Sequence, residues 1–353
     1  MKFIHIADMH FDTPFNSLET KKGLGDARRL EQRKVFKTII EYIKENNIEF
    51  LLISGDLYDQ NYVQETTIEY INNCFLEIPN TKIIISPGNH DPYIKNSYYV
   101  QYNWAENVKI FNSTIEKLEF NNINIYGVGF NNYIMNRSQI EEVIIQDTTK
   151  TNILVTHGTL DGANDSEYHP ISLSKLQQIG FDYIALGHIH KLNLKNKKIV
   201  YPGSTISLGF DEPEIHGMIE GEITKSNLEI NFIKLDTREF INKEIDITDC
   251  STELDLAEKL NELPSKTQNT NNMYKILLQG ERNFEINIQN IEKLITNESI
   301  IKIKDETKTK YDYEKIAKEN SLRGLFVQEM LKQKKDYEEE TIEKAIEIGL
   351  NCF

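Results

Sequence analysis

Cysteine is scarce in this chain. Cys74, Cys250 and Cys352 are far apart and odd in number, so neither a disulfide framework nor a thiolate zinc site can be read from them. A reducing cytoplasm is the expected setting. Basic charge is in deficit too: the formal net charge of -15 argues against a generally basic coat for nucleic acid, although bound divalent ions or a partner subunit can supply positive charge locally. No apolar run reaches the roughly 18 residues that suggest a membrane span. Asp8 and His10 interrupt the N-terminal apolar run, so no signal peptide is expected. Internal repeats and low-complexity tracts are absent as well. What remains, at 353 residues with 39% hydrophobic and 27% charged residues, is the composition of a soluble globular protein with room for about two domains.

What the chain does contain is one event repeated along its length. A short apolar run, too short for a helix, stops at a residue that can bind metal. The run Phe50-Leu51-Leu52-Ile53 ends in Ser54-Gly55-Asp56-Leu57-Tyr58-Asp59. On its own, Gly-Asp after a strand is ordinary turn chemistry. The same ending recurs, however. Lys2 to Ala7 ends at Asp8-Met9-His10, a pair that can turn toward one ion or serve as a cap. Lys82 to Ser86 ends at Pro87-Gly88-Asn89-His90-Asp91-Pro92, where Asn89 offers a neutral oxygen, His90 is available as an acid and Asp91 is placed to orient that imidazole. Asn152 to Thr156 closes at His157-Gly158, and Tyr183 to Leu186 at Gly187-His188-Ile189-His190, where a turn lets both imidazoles face one cluster. Five of the eight histidines fall at these ends. His5 lies inside a strand and reads as a packed core residue, and His169 and His216 receive no chemistry.

Collected, the candidates are Asp8, His10, Asp56, Asn89, His157, His188 and His190, with His90 and Asp91 beside them. Seven mixed nitrogen and oxygen donors are too many for one tetrahedral zinc. They suit two ions about 3.5–4 Å apart that share one carboxylate, for which Asp56 is the choice. Imidazole mixed with carboxylate and amide oxygen permits manganese, iron or zinc and disfavours a purely oxygen-bound magnesium site. Such a pair lowers the pKa of a bridging water and clamps a phosphoryl oxygen for in-line attack.

Asp8-x-His10, Gly55-Asp56-x-x-Asp59, Gly88-Asn89-His90-Asp91, His157-Gly158 and Gly187-His188-x-His190 resemble the five motifs of calcineurin-like metallophosphoesterases, in order and in strand-end placement, over residues 1 to about 235. The stretches Ile4 to Phe15, His157-Gly158-Thr159-Leu160 and Ala185 to Lys191 are similar to the bacterial DNA-repair exonuclease branch, the SbcD and YhaO type. The resemblance implies a four-layer αββα sandwich, an α/β architecture, followed by a small α/β capping domain. It implies one ion on Asp8, His10, Asp56 and His190 and a second on Asp56, Asn89, His157 and His188. His90 would protonate the leaving oxygen or stabilise the transition state, with Asp91 behind it. It also implies manganese as the usual metal, with Fe2+ or Zn2+ as alternatives, and cleavage of DNA from 3′ ends and within single strands during DNA repair. The implied partners are an SMC-like coiled-coil ATPase of the SbcC type and a second copy in a homodimer, although no dimer helix is legible. A phosphoesterase acting on a nucleotide or other small phosphorylated metabolite is the alternative, and a scaffold that has lost catalysis a third reading.

Three segments follow: a nuclease domain over 1–239, a capping, DNA-positioning domain over 240–311, and a C-terminal helical segment over 312–353. From about Phe240 the pattern becomes βαβαβ and contains no histidine. Two places carry open alternatives. The basic run Lys21, Lys22, Arg28, Arg29, Arg33 and Lys34 is either a solvated helix face or a phosphate-backbone contact. The apolar stripe Ile342, Ala345, Ile346, Gly349 and Leu350 either packs on this chain or docks a partner helix.

Overall fold

Alternation along the short apolar strands decides the layering, because each strand buries both of its faces. The computed structural model describes residues 1–353 except 16–17, 19–22, 162–166, 237, 265–270, 351 and 353. Lys21, Lys22 and most of the polar link before Asn272 therefore lie outside the described residues. Phe3, Leu52 and Ile84 face inward and meet Ile125, Ile153, Val155, Tyr183 and Ala185 from a second sheet. Ile4, Ile6, Leu51, Ile53, Ile83 and Ile85 face outward against Phe36, Ile39, Ile40, Ile68 and Phe75. Those last five come from the helices Leu24–Glu45 and Glu65–Leu76. On the far side, Leu154, Ile184 and Leu186 pack with Ile140 and Leu176. The layers are helix, sheet, sheet, helix, the αββα sandwich expected. Each such side chain, fully buried, contributes about 1.5–3 kcal/mol.

The first sheet runs in the order Leu228–Lys234, Gly217–Ile223, Lys2–Ile6, Phe50–Ile53, Lys82–Ile85, Val108–Ile110. Its last four strands are parallel. The second runs Asn193–Asn196, Ile199–Tyr201, Tyr183–Gly187, Thr151–His157, Ile123–Val128, Glu116–Phe120. Here Thr151–His157 is parallel to both its neighbours. Parallel strands deliver their carboxyl ends to one edge of a sheet, which is where ligands collect in open α/β sheets. All the strand endings singled out in the sequence belong to these parallel sets.

The chain divides into two compact units, residues 1–241 with 271–273, and residues 242–270 with 274–353. In the second, Met273–Gln279 and Ile300–Asp305 pair in parallel. The helices Glu253–Asn261 and Ile288–Leu294 bury Leu256, Leu260 and Ile291. A capping box of Thr252 and Asp255 starts the first of these helices. The helical segment expected over 312–353 is interrupted near its start: Tyr313–Ile316 ends, and Ser321 caps a new helix, Leu322–Lys332. The apolar stripe of the last helix, Glu339–Leu350, has its partner within the chain. Ile342, Ile346 and Leu350 pack with Ile316 and Val327, so that stripe is core, while Leu322, Leu325, Tyr337 and Ile348 are exposed. Among the described residues no helix is long and apolar enough to cross a membrane.

Neither reading of the basic run survives for Arg28, which is 1% exposed. Its guanidinium donates to Asp236 (2.5 Å), to the Ser207 carbonyl (2.8 Å) and to Glu31 (2.7 Å), and lies 5.4 Å from the Phe240 ring centroid. Charge that faces water in a linear reading is spent here on neutralising buried carboxylates. Arg238 closes the network on Glu31 (3.0 Å). Arg29 pairs with Asp26 and Arg33 with Asp12, leaving Lys34, among the described residues, as the exposed cation of the run.

Burial opposes the charge on Glu31, but hydrogen bonds from Arg238 and Arg28 hold its carboxyl below the ordinary value of 4.5. A carboxylate depressed in the folded state stabilises fully above its unfolded pKa, and the effect is lost as pH falls through the folded pKa. Glu31→Gln is therefore expected to cost about 1–3 kcal/mol at pH 7. Thermal melts should show a Tm deficit at pH 7 that closes as the pH is lowered below 4.5.

Candidate metal centre

The candidate side chains leave their strands through backbone that L-residues avoid. Asp8, His10, Asp56 and His188 have φ of 53°, 49°, 51° and 97°. Non-glycine residues held there cost about 1–3 kcal/mol each and persist where the surroundings impose them. The imposition is visible. Past the end of strand pairing, the Asp8 amide donates to the Gly55 carbonyl (3.1 Å), His10 to Asp56 (2.9 Å) and Phe11 to Leu57 (3.0 Å). This rail sets the Asp8 and His10 side chains beside Asp56. Gly55 itself needs glycine twice over: its φ is 84°, and a Cβ would stand 2.4 Å from His157 Nδ1.

The orientation of each imidazole follows from what its Nδ1 meets. His10 Nδ1 donates to Asp59 Oδ1 (3.1 Å), His190 Nδ1 to Glu212 Oε1 (2.5 Å) and His157 Nδ1 to the Ser54 carbonyl (2.8 Å). An Nδ1–H so engaged leaves the Nε2 lone pair turned the other way. Those lone pairs converge. His10 Nε2 lies 3.2 Å from His190 Nε2 and 3.6 Å from Asp56 Oδ2. His157 Nε2 lies 3.3 Å from the same Asp56 oxygen and 2.9 Å from Asn89 Oδ1. His190 Nε2 is 3.9 Å from Asp8 Oδ1.

Asp56 stands in the middle. Its Oδ1 accepts from the His90 amide (2.8 Å), which frees Oδ2 to face imidazoles from both sides. Three groups of donors fall within 4.8 Å of one another: Asp8 with His10 and His190, Asp8 with Asp56 and His157, and His10 with Asp56 and His90. His188 stands apart from these groups. Its amide donates to both Asp8 oxygens (3.0 and 3.1 Å), and its ring lies 5.2 Å from the ring of His157 and stacks on Tyr168 at 4.9 Å.

Acceptor atoms set against acceptor atoms need positive charge between them, and the electrostatics of the site say the same. Burial opposes charge on His157, yet Asp56 and Asp8 push its pKa up to about 9. Burial likewise opposes charge on His190, which Glu212 and Asp8 raise to about 9. Burial works against the Asp56 charge as well, but His157, His10 and His90 hold its carboxyl well below the ordinary range. The donor set thus fits divalent cations of the borderline type.

Two residues at this site differ from expectation. Asp91 does not orient His90. Its carboxylate is wholly buried and accepts from the amides of Asp56 (3.0 Å), Leu57 (2.7 Å) and Gly88 (2.6 Å) and from the Tyr99 hydroxyl (2.6 Å). It staples two loops together, and burial with the charge of Asp56 pushes it up to about 7. The carboxylate on His90 is Asp59, whose Oδ1 accepts from His90 Nδ1 at 2.6 Å, the same oxygen that receives His10. The signal for Asp59 was present in the Gly55-Asp56-x-x-Asp59 spacing. For Glu212, 22 positions beyond His190, no local signal exists.

Two six-stranded sheets that bring buried carboxylates and imidazoles together at their carboxyl edges define a metal-dependent hydrolase. The family model for calcineurin-like phosphoesterases matches residues 1–192, and the chain belongs to that family, whose members use a dinuclear divalent metal centre. A curated relative, the uncharacterized metallophosphoesterase YhaO of Bacillus subtilis (strain 168), is 25% identical over 295 residues, 79% of this chain and 72% of the relative. Among solved structures, TT1561 of Thermus thermophilus is similar with a TM-score of 0.37 at 9% identity, covering 65% of this chain and 98% of that one.

The site requires the two sheets to touch. A Cβ on Gly187 would stand 1.8 Å from the Ser54 carbonyl oxygen. Gly187→Ala is expected to cost about 1–3 kcal/mol through overpacking, read as a lower Tm, and to impair uptake of divalent metal in an equilibrium dialysis. Normal Tm and normal uptake would contradict this geometry.

Proposed function

We propose that this protein is a manganese-dependent DNA phosphodiesterase of DNA repair, a 3′ exonuclease and single-strand endonuclease. Asp8, His10, Asp56 and His190 hold one ion, and Asp56, Asn89, His157 and His188 the other. The observation that carries the phosphoesterase reading is the convergence of Nε2 atoms from His10 and His157 on one Asp56 oxygen. When bound, two such cations supply Lewis acidity and a lowered pKa for an attacking water.

The chain's own residues supply the proton. His90 is half exposed on its side chain, while Asp59 beneath it is 6% exposed. Burial of the ring opposes its charge, but the Asp59 hydrogen bond raises its pKa. That favours an imidazolium whose Nδ1 is held, with Nε2–H free to donate to a leaving oxygen. Asp59 shares one oxygen between His90 and His10, so the acid is held in place relative to a ligand.

DNA is favoured over a small phosphorylated metabolite by the rim. Tyr168 is exposed with its ring on His188, and the exposed Tyr133 is tied to Asn61 through its hydroxyl (3.3 Å). An exposed aromatic side chain beside a candidate ligand histidine suits a stacked base of a single strand. The net charge of -15 is the observation on the metabolite's side. In the same reading the enzyme works beside an SMC-like ATPase, for which Leu322 and Leu325 are the exposed apolar residues of Leu322–Lys332.

An assay with saturating Mn2+ that compares single-stranded DNA, duplex ends and a chromogenic diester on one preparation tests this reading. Cleavage of both DNA substrates is expected, and His90→Ala should lower kcat about 10²–10⁴-fold while two equivalents of manganese remain bound. Intact DNA alongside a hydrolysed small ester would establish the metabolite reading instead.

A further inference from the structure

A chain of polar side chains is buried in the largely apolar interface between the two sheets. His5, Ser54 and Tyr183 are each 0% exposed there, among Phe3, Leu52, Ile84, Ile153, Val155 and Ala185. Tyr183 Oη is 2.9 Å from His5 Nδ1, Ser54 Oγ is 3.1 Å from His5 Nε2, and the Ser54 hydroxyl donates to the Ala185 carbonyl (3.0 Å). With that hydroxyl proton committed to Ala185, Ser54 Oγ can only accept from His5 Nε2–H. His5 Nδ1 is then the acceptor for the Tyr183 hydroxyl. The direction of every bond in the chain follows from its last member. A neutral ring is required, and burial pushes the His5 pKa down to about 3.

Buried polar chains add little net stability over apolar packing of the same shape, so packing alone does not account for this one. Its position does. His5 lies in the first sheet and Ser54 directly past its strand Phe50–Ile53, whereas Tyr183 and Ala185 lie in the second. The far side of Ser54, its carbonyl, receives His157 Nδ1–H at 2.8 Å. The chain therefore runs from Tyr183 through His5 and Ser54 to the imidazole that faces Asp56 and Asn89. We infer that His5 is a positioning residue for the metal centre: it pins Ser54 between the sheets so that the Ser54 carbonyl holds His157 in ligating orientation. This rests on the reading of His157 as a ligand.

Loss of an outer partner of a ligating histidine typically weakens metal affinity by about 10–100-fold. The test uses the full chain and Co2+ alone as probe, followed by calorimetric titration and visible absorption. In His5→Leu/Tyr183→Phe no donor is stranded, because the Ser54 hydroxyl keeps Ala185. That variant should melt within a few degrees of wild type, bind one of its two Co2+ ions more weakly, by up to the about 10–100-fold that loss of the Ser54 carbonyl itself would bring, and show altered absorption for that ion. His5→Gln, whose amide can both donate to Ser54 and accept from Tyr183, should recover most of the affinity. Should the double variant melt far lower, Tyr183→Phe alone must still weaken the same ion. Wild-type isotherms and spectra in the double variant, or in Tyr183→Phe, overturn this inference alone. Failure of wild-type protein to take up two Co2+ ions overturns it together with the metal assignment.

Discussion

Of the hydrogen bonds that join the two halves of the site, one reaches the backbone at the point where the two sheets touch. His157, at the carboxyl end of a strand in the second sheet, donates to the carbonyl of Ser54, the first residue past a strand in the first sheet. Gly187 has no side chain to keep that carbonyl at a distance. Carboxylates come from one sheet and most imidazoles from the other, so neither of the two donor groups that contain Asp8 can close until the sheets stand at this separation. The apolar interior that presses them together holds none of the donor groups, yet it sets the scale of the pocket. A Phe3 or Val155 buried between the sheets acts on the metal centre by holding the sheets at contact.

Charge explains how an acidic chain can take a phosphoester. Buried carboxylates are surrounded here by imidazoles whose second nitrogen is already bound, so what the cluster lacks is cation. Arginine is no substitute. Arg28 and Arg238 are consumed by Asp236 and Glu31, and Arg33 by Asp12. An acidic surplus of this kind is a holding field for divalent ions, and the anionic substrate is then drawn by the ions rather than by the coat.

Much of this was legible before any coordinates. Strand ends at Asp8, Asp56, Asn89, His157 and His190 announce themselves because a short apolar run that stops at a metal-binding residue is a local pattern, and five such stops are not chance. The layering was expected from the family resemblance those motifs carry, and the structure agrees with the continuous apolar runs of strands buried on both faces. Contacts set by tertiary structure were not legible. Asp91 sits next to His90 in sequence but turns inward to three amides and Tyr99, while Asp59, 31 positions away, takes the imidazole. Glu212 behind His190 and Asp236 behind Arg28 are joined only by folding. The stripe at Ile342, Ile346 and Leu350 has the same spacing whether it packs on this chain or on another, and only the placement of Ile316 and Val327 decides.

The central claim is that Asp56 lies between two cations, and the magnetism of a loaded sample addresses it most directly. Two Mn2+ ions bridged by one carboxylate are exchange-coupled, so the electron paramagnetic resonance spectrum of protein carrying two equivalents should be that of a spin-coupled pair and should lose that character in Asp56→Asn. Two independent six-line signals at the same loading, or no more than one equivalent retained, would contradict the account.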